Sequence, residues 1–232
     1  MHKFKSLLGY FTKFEILLWC FSVAALLLTY IFINTSNLLT LIASFIGVTS
    51  LIFNAKGNLI GQALMIIFSV FYGIISFNTA YYGEMITYLG MTAPMAIIAL
   101  ISWFNNPYKG RVSEVKVSNI TLKEVVFMLI ISVGVTILFT FVLKYFNTAN
   151  LFFSTLSVTT SFIAAYLTFK RSPYFALAYA LNDIVLIILW VLAAIKNITY
   201  ISVIACFAVF LINDLYCFFS WIKMQRRQRK SI

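Results

Sequence analysis

Histidine is almost missing from this sequence. His2 is the single one, and cysteine (3), proline (3) and acidic residues (6) are nearly as scarce among 232 residues. One histidine leaves no paired imidazoles for a metal centre or an acid–base relay. Cys20, Cys206 and Cys217 are odd in number, far apart and set within apolar runs, with no C-x-x-C between them. That pattern fits neither a disulfide framework nor a zinc site. There is no G-x-x-x-x-G-K-[S/T] and no G-x-S-x-G, which excludes an ATP-driven pump on this chain and a serine-hydrolase elbow. With no nucleophile–base pair in view, an enzyme is not expected, and neither is a cofactor.

Charge is scarce as well, at 10% of residues against 62% hydrophobic, where soluble domains average about 25% and 45–50%. What is present is long apolar sequence, with 24 Phe and a mean hydropathy of +0.99. Apolar runs occupy 16–33, 38–55, 59–77, 85–104, 125–143, 151–169, 174–195 and 198–222. Each is near the ~20 residues that cross a bilayer as a helix, the form that satisfies its own backbone in lipid. The fold class is therefore an all-α membrane protein of eight transmembrane helices. Residues 1–14 are basic and amphipathic, but the run behind them is longer than a signal-peptide core and lacks an A-x-A-like exit, so it is expected to be retained as a first helix. Pro94 is expected to kink the fourth span.

The net charge of +11 is explained by position. Of the 17 Lys and Arg, eight crossings place fifteen on the side of both termini and only Lys144 and Lys196 opposite. By the positive-inside bias both termini are cytoplasmic, and the tail "KMQRRQRK" serves topology and anionic lipid rather than nucleic acid. The sequons at Asn34, Asn119 and Asn197 have no support as glycosylation sites.

An internal repeat emerges from the spans. "NLLTLIASFIGVTSLIFNAK" opens one three-span group that closes on Ser102-Trp103, and "NLFFSTLSVTTSFIAAYLTFK" opens another that closes on Ser220-Trp221. One span lies between them, so the groups share an orientation. This is the SWEET-like 3+1+3 plan, in which the substrate site sits at the repeat interface. The expected division is 1–36 (basic segment and extra helix), 37–108 (first repeat), 109–149 (loop and linker helix), 150–222 (second repeat) and 223–232 (basic tail).

Polar residues inside the spans are the candidate site, because intramembrane polarity is costly and normally faces a partner or a cavity. The Asn-Asp pairs at Asn182-Asp183 and Asn213-Asp214 stand out, with Gln62, Tyr72, Thr87, Tyr88, Trp190 and Tyr216. Tyr72 and Trp190 are 118 residues apart, the repeat offset between Trp103 and Trp221, so the two aromatics could face each other. Asn213 and Tyr216 share a helix face. Each has a plain structural counterpart: Ser and Thr of 157–161 pack helices, Trp103 and Trp221 anchor at the interface with Trp19 the same or lipid-facing, and Glu84 suits a helix N-terminus.

The stretches "NAKGNLIGQALMIIFSVFYGIISF", "AYYGEMITYLGMTAPM", "NDIVLIILWVLAAI" and "FLINDLYCFFSW" together resemble the bacterial PnuC-type nicotinamide riboside transporters, over about 38–225. The resemblance implies a SWEET-like fold, usually a homotrimer with a site in each protomer. It also implies facilitated diffusion of the riboside, which a cytosolic kinase then traps by phosphorylation. The family's Trp, Asn and Gln ligand types are matched by Trp190, Asn182, Asn213 and Gln62; the W-x-x-W of some members is not, since Ile187 and Ala193 flank Trp190. The ligand chemistry fits: Trp190 and Tyr72 for a cationic pyridinium, the three amides for carboxamide and hydroxyls, and Asp183 or Asp214 against the positive ring. The competing expectations are a SWEET-like permease for another vitamin or a sugar, and a vitamin-binding membrane subunit that needs a partner.

Overall fold

The computed structural model describes residues 10–33, 38–78, 82–195 and 198–231; Lys3, Lys5, Asn34, Lys196 and Asn197, with the expectations attached to them, lie outside this set. Eight helices among the described residues are long and apolar enough to cross a membrane. They are α1 (Lys13–Ile33), α2 (Leu38–Ala55), α3 (Leu59–Asn78), α4 (Tyr82–Phe104), α5 (Leu122–Tyr145), α6 (Leu151–Phe169), α7 (Tyr174–Ala194) and α8 (Ile201–Arg229). A two-stranded antiparallel hairpin, β1 (Pro107–Tyr108) and β2 (Arg111–Val115), follows α4. Lys109 and Gly110 make its turn with φ of 50° and 73°, the positive pair that a tight hairpin needs.

Several ends differ from the expected spans. α4 and α5 start at Tyr82 and Leu122, three residues early, α5 ends at Tyr145, two late, and α8 starts at Ile201, three late. The first helix starts at Lys13 and carries the buried carboxylate Glu15. Thr12 and Glu15 cap that start reciprocally, at 2.6 and 3.2 Å, the pattern of a capping box. The last helix runs unbroken through the basic tail to Arg229, since nothing in "KMQRRQRK" breaks a helix. Beyond the apolar stretch it is held by Gln228, whose side chain accepts from Val117 N (2.8 Å) and donates to Val115 O (3.0 Å).

Tyr10, hydrogen-bonded to Ser113 O (3.0 Å), and Ser231, bonded to Tyr108, both meet the hairpin. Both described termini thus lie at one end of the bundle, called here the hairpin end. There the chain reverses between α2 and α3 through Gly57 (φ 67°) and between α6 and α7 through Arg171 (φ 55°). Arg171 is held in that left-handed conformation by donating to Ser102 Oγ (2.8 Å) and Lys116 O (3.2 Å).

The same end carries a reciprocal set of hydrogen bonds. Trp103 and Ser102, closing α4, donate to the carbonyls of Thr168 (2.9 Å) and Phe169 (2.7 Å), the last of α6. Trp221 and Ser220, on α8, donate to the carbonyls of Asn54 and Ala55 (2.7 Å each), the last of α2. Helix-end carbonyls lack intrahelical partners, so each helix finishes the other group's backbone bonding. The two indoles are fully buried, with centroids 5.3 Å apart. The expectation that they anchor at a lipid interface is corrected: they form a core. Trp19 does sit partly exposed, donating to Thr49 Oγ1 at 3.1 Å.

α4 is interrupted by a π-helical turn over Tyr88–Thr92. Pro94, two residues later, has no N–H to return to the Gly90 carbonyl, and the helix widens just upstream of it. α5 is the least buried span and shows an apolar outer face, including Phe127, Ile130, Val133 and Phe141.

Candidate functional site

α2, α3, α4, α6, α7 and α8 line a largely apolar cavity of about 40 Å³ that a few polar groups enter. Asn182, Asp183 and Tyr179 reach it from α7, Asp214, Phe207 and Phe210 from α8, Tyr88 and Thr92 from the π turn of α4, and Ser161 from α6. A π turn at such a place re-aims side chains that a regular helix would point elsewhere. Ligand pockets usually measure about 300–1,000 Å³, so the cavity is too small as it stands and these helices must part to admit a nucleoside. Larger hollows lie at the hairpin end, one of about 420 Å³ beside Lys170 and Arg171 and one of about 620 Å³ beside the hairpin turn, Lys116 and Arg229.

Asn182 is oriented by two hydroxyls. Thr160 Oγ1 (2.8 Å) and Ser161 Oγ (3.0 Å) both donate to its Oδ1, which leaves its NH₂ group for the cavity. The Ser and Thr of 157–161 therefore do more than let backbones approach. Asp183 and Asp214 are each 3% exposed and meet carboxyl to carboxyl. One oxygen of each, Asp183 Oδ2 and Asp214 Oδ1, has no hydrogen-bond partner, and neither residue takes part in an ion pair.

Next to this cavity stands an aromatic cluster. Tyr72 and Tyr88 pack at 4.4 Å between centroids, Phe68 and Phe210 at 5.5 Å, and Trp190 contacts Tyr200 at 5.2 Å. The Trp190 indole lies beside the Tyr72 hydroxyl, so the two aromatics related by the repeat offset do meet. Gly47 is required here: a Cβ would collide with the Phe210 ring. At the far end from the hairpin, Trp190 also borders a second cavity of about 40 Å³ with Glu84 and Asn150. The buried Glu84 faces that cavity, at the start of α4.

The remaining expected site residues lie elsewhere. Gln62 donates to Asn54 Oδ1 (2.9 Å) in the joint between α2 and α3. Thr87 back-bonds to Gly83 O (2.9 Å) within its own helix. Asn213 and Tyr216 do share a face, but it is turned to α1: Asn213 Nδ2 donates to Ser22 Oγ (2.9 Å) and Tyr216 Oη to Glu15 Oε1 (2.9 Å). Tyr179, Phe207 and Phe210 are aromatic lining residues that the expected set omitted. Their signal was weak because 13 Tyr and 24 Phe are spread through the chain.

Eight membrane-length helices among the described residues, six of them around a cavity of aromatic, amide and carboxyl groups, have the build of a membrane transporter. The chain belongs to the nicotinamide mononucleotide transporter family, whose model matches residues 37–223. Among solved structures its fold is similar to the crystal structure of the vitamin B3 transporter PnuC, with a TM-score of 0.81, 22% identity and 94% of each chain covered. At that identity the likeness speaks for the fold. Comparison with curated proteins gave no match.

Proposed function

We propose that this chain carries nicotinamide riboside into the cell by facilitated diffusion across a bacterial inner membrane, with both termini cytoplasmic. Phosphorylation by a cytosolic kinase then traps the substrate. The observation that carries this reading is the central cavity, where the Asn182 amide, the tyrosines and two carboxyls converge while no Lys, Arg or His is buried among the described residues. A cationic pyridinium suits aromatic faces and carboxylates. A 5′-phosphate needs a guanidinium, an ammonium or a helix N-terminus aimed at it. The carboxyls would repel it.

The reciprocal Ser-Trp bonds support a 3+1+3 arrangement with repeats at 37–108 and 150–222 around a linker at 109–149. The basic stretch 223–232 is then an extension of the last helix to Arg229 rather than a separate tail. The apolar outer face of α5 offers surface for the homotrimer that the resemblance implies. Calorimetry of purified protein with riboside and with mononucleotide tests the substrate assignment. The riboside is expected to bind and the mononucleotide at least tenfold more weakly; comparable affinities overturn the proposal and the trapping step together.

A further inference from the structure

The meeting of Asp183 and Asp214 is not explained by packing. Two carboxyl groups in a membrane interior normally find a cation, a backbone donor or water. Here they find each other, and each keeps one oxygen unpartnered on the wall of the same cavity. The elements packed around them add no positive charge. The titratable groups facing the pair are Tyr179 on α7, Tyr88 on α4, and Cys206 and Cys217 on α8. Glu84 stands beyond Tyr88. α2, α3 and α6 present Leu51, Met65, Phe68 and Ser161.

We infer that Asp183 and Asp214 form a cation site that a proton and the substrate's pyridinium occupy in turn. Ionised carboxylates are acceptors only, so two of them side by side hold together through a proton between them. When the ring's positive charge enters, that proton leaves the carboxyl oxygen for water at the cavity mouth. Both carboxylates then face the cation, and the charge of the filled site equals that of the empty one. The inference rests on the riboside reading above and deepens it. Carriage stays passive, and acid competes with substrate for the same oxygens. Because two interacting carboxyls titrate as a unit, the proton belongs to the pair.

The test is calorimetry of the intact purified protein in buffers of different ionisation enthalpy, which counts protons released per ligand bound. Three probes serve: the wild type with nicotinamide riboside, the wild type with its uncharged reduced dihydropyridine form, and D183N or D214N with the riboside. The wild type is expected to release about one proton per riboside, with affinity falling about tenfold per pH unit on the acid side. The neutral form should bind with no release. Either single amide variant should lose both the release and the pH slope. Riboside binding without proton release overturns the inference and leaves the riboside reading intact. Equal release with the neutral form also overturns it, and that arm needs no variant to fold. Absence of riboside binding overturns the underlying reading, and this inference with it.

Discussion

With its carbonyl oxygen taken by two hydroxyls, Asn182 has one way to turn its NH₂ group, and that is into the cavity. Asn182→Ala removes the proposed ligand donor and takes away the acceptor of Ser161, while Thr160 keeps the Leu156 and Ser157 carbonyls. A lost buried hydrogen bond is worth about 1–3 kcal/mol, so riboside affinity should fall about tenfold or more in calorimetry. Gln62→Ala, at a residue of the same chemistry bonded to Asn54, should leave that affinity within about twofold and lower the melting temperature instead. An equal loss of affinity in both variants would contradict the assignment. The contrast also marks how far residues can be read from sequence. Both amides are costly in a span, which singles them out. Which way each turns depends on neighbours distant in sequence, such as Thr160 for Asn182 and Ser22 for Asn213. The Asn-Asp pairs were legible as costly intramembrane polarity, but the Asn213 amide faces α1 while Asp214 beside it lines the cavity.

At the scale of elements, the eight spans follow from apolar run length with ten of their sixteen limits within one residue, and the start of α1 has a definite cause for escaping. Glu15 looks like the edge of a basic segment, yet it is 2% exposed because Lys56 Nζ (3.3 Å) and Tyr216 Oη (2.9 Å) neutralise and satisfy it. α1 lies outside the matched family region of 37–223. It is joined to α8 through Glu15–Tyr216 and Ser22–Asn213, and to the α2 end through Lys56. Glu15→Ala should therefore cost about 1–3 kcal/mol, a fall of several degrees in the melting temperature. Tryptophan-fluorescence melting in detergent measures it. An unchanged Tm would mean that α1 is only loosely attached. The π turn in α4 escaped for another reason: Pro94 announces a disturbed helix, but the sequence does not say that the strain is relieved at Tyr88–Thr92.

For the whole molecule, the fifteen-to-two charge division and eight crossings define a topology with an outcome to check. Single cysteines at Asn78, the last residue of α3, and at Gly110, in the exposed hairpin turn, should behave oppositely toward a membrane-impermeant thiol reagent. Position 78 should label in intact cells, and position 110 only after permeabilisation. Labelling at 110 in intact cells would reverse the orientation.

The Ser-Trp exchange at the hairpin end has a consequence for how such a chain can be assembled. Each three-helix group offers a seryl hydroxyl and an indole N–H, and each offers two helix-end carbonyls to receive them. A seam of this kind is isologous: what the first surface gives the second, the second gives back. Its hydrogen bonds do not depend on which group was synthesised first, nor on α5 joining them. Loss of either indole therefore opens the seam on both sides at once, since each group's helix end is closed by the partner group it closes.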